Sequence, residues 1–220
     1  QAEHLALLVG SGLTHAVHWL ATGRLGPSLS PVEFSSFADQ LGIAVQVIAS
    51  QAGRKQPNFE DQVRAANELL TGLRHYCPDT ATFRGAKKLR QEIARLQEEL
   101  NKALRVFATS ILDGERNIIT SDESRREAAV GYLVSFLMSF ASRSGTRDRL
   151  HLFTTNYDRL IEMGAEMAGL YLLDRFVGNL TPIFRSSRLD LDMHYNPPGI
   201  RGEPRYVEGV VRFTKLHGSI

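Results

Sequence analysis

The hydrophobic positions of this chain follow three different patterns from start to end. A continuous apolar run over residues 5–9 is typical of a buried strand, and a glycine turn follows it. From about residue 30 to 142, apolar side chains recur every three or four positions, which is the period of amphipathic helices. After residue 148, short apolar runs return between polar and Pro/Gly-rich stretches and predict strands. The pattern therefore predicts an α/β fold whose sheet combines strands from both ends of the chain.

The helical region is predicted to contain several helices, each with its own start signal. Ser30-Pro31-Val32-Glu33 has the residues of a capped helix start, so we predict one helix from there to Gly42 and another over residues 43–52. Asn58 begins the next helix. Residues 86–112 form a long amphipathic helix, which either packs on its own domain or forms a coiled coil with a partner. Its heptads do not persist, which favours packing within the domain.

A further capping signal at residues 120–123 predicts a helix that extends to about residue 142. The middle of this helix is apolar on nearly all sides, so we expect it to be buried in the centre of the protein. Three arginines precede the next strand and are interpreted as a solvated approach to it: Arg143, Arg147 and Arg149.

The predicted elements describe a single Rossmann-like domain over residues 1–220, with a parallel sheet and a large helical insertion. The sheet segments are expected at about residues 1–20 and 148–220, and the insertion at about 28–145. Because the chain starts at the edge of one strand and stops just after another, we expect it to be a piece of a longer protein.

Composition narrows the class of protein without identifying a function. The chain has 220 residues, of which 43% are hydrophobic and 23% charged, as in ordinary globular proteins. Its formal net charge of +2 does not favour direct contact with nucleic acid. The single cysteine, Cys77, excludes an internal disulfide and a multi-cysteine zinc site, and it favours a reducing, cytoplasmic location. No apolar run approaches the roughly 20 residues that span a bilayer.

Three of the predicted strands end in small or polar residues. They are Gly10-Ser11-Gly12, the segment over residues 154–158 and the segment over residues 215–219. Ligands of open parallel sheets bind beyond the carboxyl ends of the strands. If these strands are parallel neighbours, their ends converge on one crevice.

Each strand end has an ordinary structural interpretation beside a chemical one. The glycine turn can admit a pyrophosphate at a helix N-terminus or can be a plain turn, and His15 stands where the usual dinucleotide motif has its third glycine. Asn156 and Asp158 can line a ligand or cap a helix. His217 can act as a general base or be structural. The chemical interpretation depends on all three ends occurring together.

The three segments resemble motifs of the sirtuin superfamily in both order and character. Sirtuins have a Gly-Ala-Gly-x-Ser turn, a Thr-Gln-Asn-x-Asp segment and a His-Gly pair. This chain has Gly10-Ser11-Gly12-Leu13-Thr14, Thr155-Asn156-Tyr157-Asp158 and Leu216-His217-Gly218. The motifs bracket nearly the whole chain, whereas most of residues 20–148 has no motif support.

The resemblance implies a set of NAD-binding and catalytic residues. His217 would be the catalytic base, and Asn156 would line the nicotinamide-ribose pocket as the second catalytic residue. The residues expected to bind NAD are Gly10, Ser11, Gly12, Leu13, Thr14, His15, Thr155, Asp158, Gly218 and Ser219. No metal is expected, because the spaced pair His15 and His18 lacks a third ligand.

The chain also departs from the sirtuin deacylases. It lacks the Pro-Asp-Phe-Arg segment after the glycine turn, and its interval from Asn156 to His217 is much longer. The inserted helices and the Phe-Thr-Thr-Asn-Tyr-Asp segment look more like the sirtuin-like domains of bacterial antiphage systems, which hydrolyse NAD.

The resemblance therefore implies an NAD+ hydrolase that acts in antiphage defence by depleting NAD. A protein deacylase and a non-catalytic module that senses NAD or ADP-ribose are the alternatives. The implied partners are further copies of the chain, a HerA-type ATPase, an Argonaute-type protein or a fused sensor domain.

Overall fold

A four-stranded parallel sheet organises the part of the chain that contains the predicted site. The computed structural model describes residues 4–28, 31–141, 148–178, 183–196 and 205–217. The helices are α1 (Ser11–Thr22), α2 (Ala38–Gln51), α3 (Phe59–Tyr76), α4 (Ala86–Ile119), α5 (Glu123–Ala141) and α6 (Leu160–Met167). The strands are β1 (Ala6–Val9), β2 (Leu150–Thr154), β3 (Tyr171–Leu173), β4 (Phe176–Val177), β5 (Ile183–Phe184), β6 (His194–Tyr195), β7 (Arg205–Tyr206) and β8 (Val210–Lys215).

The sheet has the strand order β1-β2-β8-β3, and every neighbouring pair is parallel. Leu7 lies opposite Leu152, which in turn lies opposite Phe213, so these side chains share one face of the sheet. Strands from both ends of the chain thus form one sheet, as predicted. The arrangement is an α/β fold and is compatible with a Rossmann-like one.

Helices α1, α5 and α6 pack on one face of this sheet. Leu133 of α5 and Ile161 of α6 join Leu152 in one buried cluster. The helices approach closely at Gly164, where an added Cβ would lie 2.7 Å from Leu133 Cγ. On the other face of the sheet, Leu8 is 68% exposed. Among the described residues, the main core of this part therefore lies between the sheet and these three helices.

The chain divides into two compact units. One combines Gln1–Pro27 with Ile111–Ile220 and contains the sheet, and the other is the helical unit Ser28–Ser110. The sequence predicted a helical insertion that extends to about residue 145. In the structure α5 packs on α1 and α6, so it belongs to the sheet unit.

The expected burial of α5 on all sides is wrong. Only one of its faces is buried, which consists of Ala129, Leu133, Leu137 and Ala141. Tyr132 and Met138 lie outside this face and are 64% and 39% exposed. Apolar composition around a helix is therefore not sufficient here to place it in the centre of the core.

The helical unit contains α2, α3 and α4 as far as Ser110, and its core includes Leu70, Leu96 and Leu100. Leu96 and Leu100 belong to the apolar stripe of α4, so this stripe packs within its own unit, as favoured by the sequence. The capping box at Asn58 and Asp61 is present at the start of α3.

The predicted helix start at residues 30–33 is wrong. Residue 30 lies outside the described part, residues 31–34 are not helical, and α2 begins at Ala38 and continues through Gly42. The carboxylate of Glu99 holds the preceding turn, because it accepts hydrogen bonds from the backbone N–H and hydroxyl groups of Ser35 and Ser36. Burial alone would raise the pKa of Glu99, but these hydrogen bonds lower it below its usual value.

Arg149 is not part of a solvated approach, contrary to the prediction. It is 5% exposed, its Nε donates to Asp192 Oδ1 at 3.0 Å, and its Nη1 donates to the Val207 carbonyl at 2.7 Å. It thereby anchors the segment that contains the β6–β7 hairpin to the start of β2. Arg143 and Arg147 lie outside the described residues.

A bilayer-spanning helix is not found in the described ranges, since none of the helices there is both long enough and apolar enough.

Candidate functional site

The three predicted strand ends lie side by side at one edge of the sheet. β2 has β1 on one side and β8 on the other. The pairing continues beyond the strands, because Thr155 N donates to the Val9 carbonyl at 3.3 Å and Leu216 N donates to the Thr154 carbonyl at 2.8 Å. The glycine turn, the segment around Asn156 and the segment that contains His217 therefore meet at the carboxyl edge.

The glycine turn leads directly from β1 into α1. Gly10 is the extended N-cap residue of α1, and Ser11 and Gly12 form the exposed first turn of this helix. An added Cβ on Gly12 would meet no protein atom within 4 Å, so the fold itself does not require glycine there. The first N–H groups of a helix lack intrahelical acceptors, which allows an anion to approach this open turn.

A buried chain of hydrogen bonds joins α1 to the end of β2. The amide nitrogen of Asn156 donates to the Gly10 carbonyl at 3.0 Å and to Thr14 Oγ1 at 2.9 Å. The Thr14 hydroxyl in turn donates to Asp158 Oδ2 at 2.5 Å. All three of these side chains belong to residues that are less than 9% exposed. Because both N–H groups of the Asn156 amide are engaged, Oδ1 is the atom of this side chain that can receive a donor from a ligand.

Asp158 has a second structural task at the start of α6. Its Oδ1 accepts a hydrogen bond from Leu160 N at 3.2 Å. Asp158 therefore stabilises the helix start, as the structural interpretation of the sequence held, and also the contact with Thr14. Both carboxylate oxygens of Asp158 are thus engaged within the protein.

Replacing Asp158 with alanine should lower the free energy of unfolding by about 2–3 kcal/mol, because two buried donors, the Thr14 hydroxyl and the Leu160 N–H, lose their acceptor. Urea denaturation followed by circular dichroism measures this change. Asp113→Ala is the matched control, because the pair of Asp113 with Arg116 is exposed and should contribute less than about 1 kcal/mol. Equal losses for the two variants would contradict the structural role of Asp158.

Lys215 contacts the backbone of the same segment, and it was not among the site residues predicted from the sequence. Its side chain is 4% exposed, and Nζ lies 2.7 Å from Glu162 Oε1. Nζ also donates to the carbonyls of Asp158 at 2.6 Å and Tyr157 at 3.3 Å. Burial raises the pKa of Glu162 above its usual value, although the Lys215 ammonium opposes this shift. The signal that could have identified Lys215 is its place two residues before His217, near the end of a predicted strand.

His217 lies just beyond β8 and is exposed. Its ring lies 6.0 Å from that of Tyr157, measured between centroids. This contact brings His217 to the segment that contains Asn156. The predicted NAD-binding residues Gly218 and Ser219 lie outside the described residues.

The two histidines of α1 have different surroundings. His18 is buried, and its Nδ1 lies 2.9 Å from the Arg24 carbonyl, so it supports the end of α1. His15 is half-buried, its Nδ1 lies close to Gly26, and this nitrogen has no hydrogen-bond partner within the described ranges. Over the same ranges, no group of three or more metal-ligating side chains occurs.

Sequence comparison provides no relative for this chain, since neither a protein-family model nor a curated protein matches it.

Proposed function

We propose that this chain hydrolyses NAD+ to nicotinamide and ADP-ribose. The observation that carries the proposal is the meeting of an open glycine turn, a buried asparagine and an exposed histidine at the ends of three adjacent parallel strands. These are the segments whose residues resemble sirtuin motifs. Each of them supplies a different part of what cleavage of the nicotinamide–ribose bond requires.

The open turn at Gly12 is the proposed site for the pyrophosphate of NAD+. The exposed N-terminal turn of α1 offers backbone N–H groups and the positive end of the helix dipole. The absence of a side chain at Gly12 lets a phosphate approach the backbone. Fixing the pyrophosphate there orients the remainder of the substrate towards Asn156 and His217.

Asn156 is proposed to position the nicotinamide ribose. Its amide nitrogen is held by Gly10 and Thr14, so the orientation of the side chain is fixed before the substrate binds. Oδ1 is then the acceptor for a ribose hydroxyl or for the attacking water. Such preorganisation contributes to catalysis because it reduces the entropy lost in reaching the reactive geometry.

His217 is proposed to accept the proton during the reaction. The bond between the ribose carbon and the nicotinamide nitrogen breaks, and its electron pair leaves with nicotinamide as a neutral group. The water oxygen forms the new bond to the same carbon, and its proton passes to the imidazole. Imidazole is the usual general base near neutral pH. Because His217 is exposed, it can return the proton to solvent.

Nicotinamide release from purified protein tests this proposal. The chain is incubated with NAD+ alone and with NAD+ plus an acetyl-lysine peptide, and nicotinamide and ADP-ribose are quantified by chromatography. Without peptide, we expect nicotinamide and ADP-ribose to be released in equal amounts. Release that depends on the peptide would instead indicate a deacylase, and NAD+ binding without turnover would indicate a sensing module. Either result would overturn the proposal.

The proposed biological role is depletion of NAD+ in antiphage defence. Uncontrolled loss of NAD+ is toxic to a cell, so we further propose that assembly with other copies or with a partner controls the activity. This part of the proposal is based on the resemblance to sirtuin-like defence domains.

A further inference from the structure

A cavity of about 480 Å³ lies at the carboxyl ends of β3 and β8, within the sheet unit. Its walls come from α6, these two strands, the β4–β5 hairpin and the short 3₁₀ helix Ser186–Asp190. The volume falls within the usual range for small-molecule sites, and the carboxyl end of parallel strands is where α/β folds bind ligands. The residues assigned above to NAD+ binding and catalysis do not line this cavity.

Two of the charged side chains that line the cavity are used to build it. Arg188 Nη1 donates to the Phe176 carbonyl and lies 3.3 Å from Asp174 Oδ1. The same oxygen of Asp174 accepts a hydrogen bond from Phe176 N at 3.1 Å. Arg188 and Asp174 therefore fix the β4–β5 hairpin.

Arg175 also lines the cavity, but it has a different environment. Within the described part of the chain, its guanidinium has neither an ion-pair nor a hydrogen-bond partner. The residue is half-buried. A guanidinium without a carboxylate partner is suited to an anionic group of a ligand, above all to phosphate, whose oxygens match its planar arrangement of donors.

Glu162 provides an acceptor on the α6 side of the cavity. Lys215 binds Oε1, whereas Oε2 is buried and has no hydrogen-bond partner among the described residues. A buried carboxylate oxygen without a donor is costly, and a ligand hydroxyl or N–H group would satisfy it.

Two of the three phenylalanines that line the cavity form an aromatic pair, and the third, Phe213, is buried. Phe176 and Phe184 lie edge to face, with their centroids 6.0 Å apart, and Phe184 is 54% exposed. Exposed aromatic surface beside a polar cavity favours a ligand with a flat ring. The cavity thus combines an anion-binding group, an acceptor for hydroxyl groups and an aromatic wall.

We propose that this cavity binds a nucleoside phosphate, separately from the NAD+ crevice. Arg175 binds its phosphate, Glu162 accepts a hydrogen bond from its ribose hydroxyls, and the base contacts Phe176 and Phe184. Carboxylates commonly bind ribose hydroxyls in this way. The inference does not depend on the proposed hydrolase activity.

Isothermal titration with AMP tests the proposal on the whole chain. We expect AMP to bind, and we expect Arg175→Gln to weaken the binding tenfold or more. Arg185→Gln is the matched control, because Arg185 lies in the same hairpin and is exposed but does not line the cavity. It should leave the AMP affinity unchanged, and so should Gly12→Asp, which places a negative charge at the proposed pyrophosphate site.

Titration with ribose 5-phosphate shows whether the cavity prefers a nucleoside phosphate or a sugar phosphate. We expect it to bind at least tenfold more weakly than AMP, because it lacks the base. Equal affinity would overturn the proposal, as would no AMP binding, binding insensitive to Arg175→Gln, or binding abolished by Gly12→Asp. If Arg175→Gln fails to fold, Phe184→Ala replaces it, with the same expected loss of AMP affinity and unchanged affinity for ribose 5-phosphate. These outcomes can be interpreted even if the chain does not hydrolyse NAD+, because the experiment measures AMP binding and not turnover.

Discussion

Replacing His217 with alanine should reduce the rate of nicotinamide release from NAD+ at least hundredfold. General bases typically contribute about 10²–10⁴ to a rate, and His217 is the histidine that lies beside the Asn156 segment. Because the side chain is exposed, its removal should change the free energy of unfolding by less than about 0.5 kcal/mol. The activity is measured by chromatography of nicotinamide, and the stability by urea denaturation of the same preparation.

His194→Ala is the matched control for this prediction. His194 is also exposed and also contacts a tyrosine ring, since its centroid lies 4.7 Å from that of Tyr206. It belongs to the β6–β7 hairpin and has no assigned role in the reaction. Wild-type activity in His217→Ala, or an equal loss in His194→Ala, would contradict the assignment of His217 as the base.

The sheet and the convergence of its strand ends could be predicted because they follow from local signals. A continuous apolar run predicts a strand of a parallel sheet, although the expected burial of β1 is wrong on one face, where Leu8 is 68% exposed. The parallel arrangement brings the carboxyl ends to one edge. Gly10, Asn156 and His217 therefore could be grouped from the sequence although they are far apart in the chain. Most of residues 20–148 carried no motif that could be connected with a function.

The predictions that are wrong depended on contacts between distant residues. Pro31 and Glu33 have the right types for a helix start, but Glu99 holds the following serines in a turn, and α2 begins only after it. Arg149 lies in a polar stretch before a strand, and it is buried against its partner Asp192. The local sequence does not specify that these two residues meet. Local propensity is a weak guide wherever such a tertiary contact competes with it.

The Lys215–Glu162 pair was missed for a related reason. Lys215 lies near the end of a predicted strand, and Glu162 lies in the helix predicted to follow Asn156. Charged residues at such positions are usually exposed to solvent. Their contact requires β8 and α6 to be placed in space, which periodicity alone does not provide. The resemblance of the segment around Asn156 to a sirtuin motif was recognisable, whereas the ammonium group that supports its backbone was not.

Replacing Lys215 with methionine should lower the free energy of unfolding by about 3 kcal/mol. Removal of one partner of a buried ion pair typically costs about 3–5 kcal/mol, and the lower value is expected because the Glu162 side chain is a third exposed. The carbonyls of Tyr157 and Asp158 also lose the Lys215 donor. Urea denaturation at several pH values measures the loss.

The dependence of this loss on pH follows from Glu162. Burial already raises the pKa of Glu162 in the folded protein, and without the Lys215 ammonium this pKa should rise further. A carboxyl group with a raised folded pKa binds more protons in the folded than in the unfolded state, so its stability is present at low pH and is lost as the pH rises through the folded pKa. The destabilisation by Lys215→Met should therefore be larger at pH 8 than at pH 5.

The double variant Lys215→Met with Glu162→Gln distinguishes a lost ion pair from lost packing. If the cost arises from an uncompensated carboxylate, the neutral glutamine removes most of it, and the pH dependence disappears as well. The double variant should then be more stable than Lys215→Met alone, with a coupling free energy of about 1–3 kcal/mol between the two positions. Additive effects of the two substitutions would show that Lys215 stabilises the site through its contacts with the Tyr157 and Asp158 carbonyls rather than through Glu162.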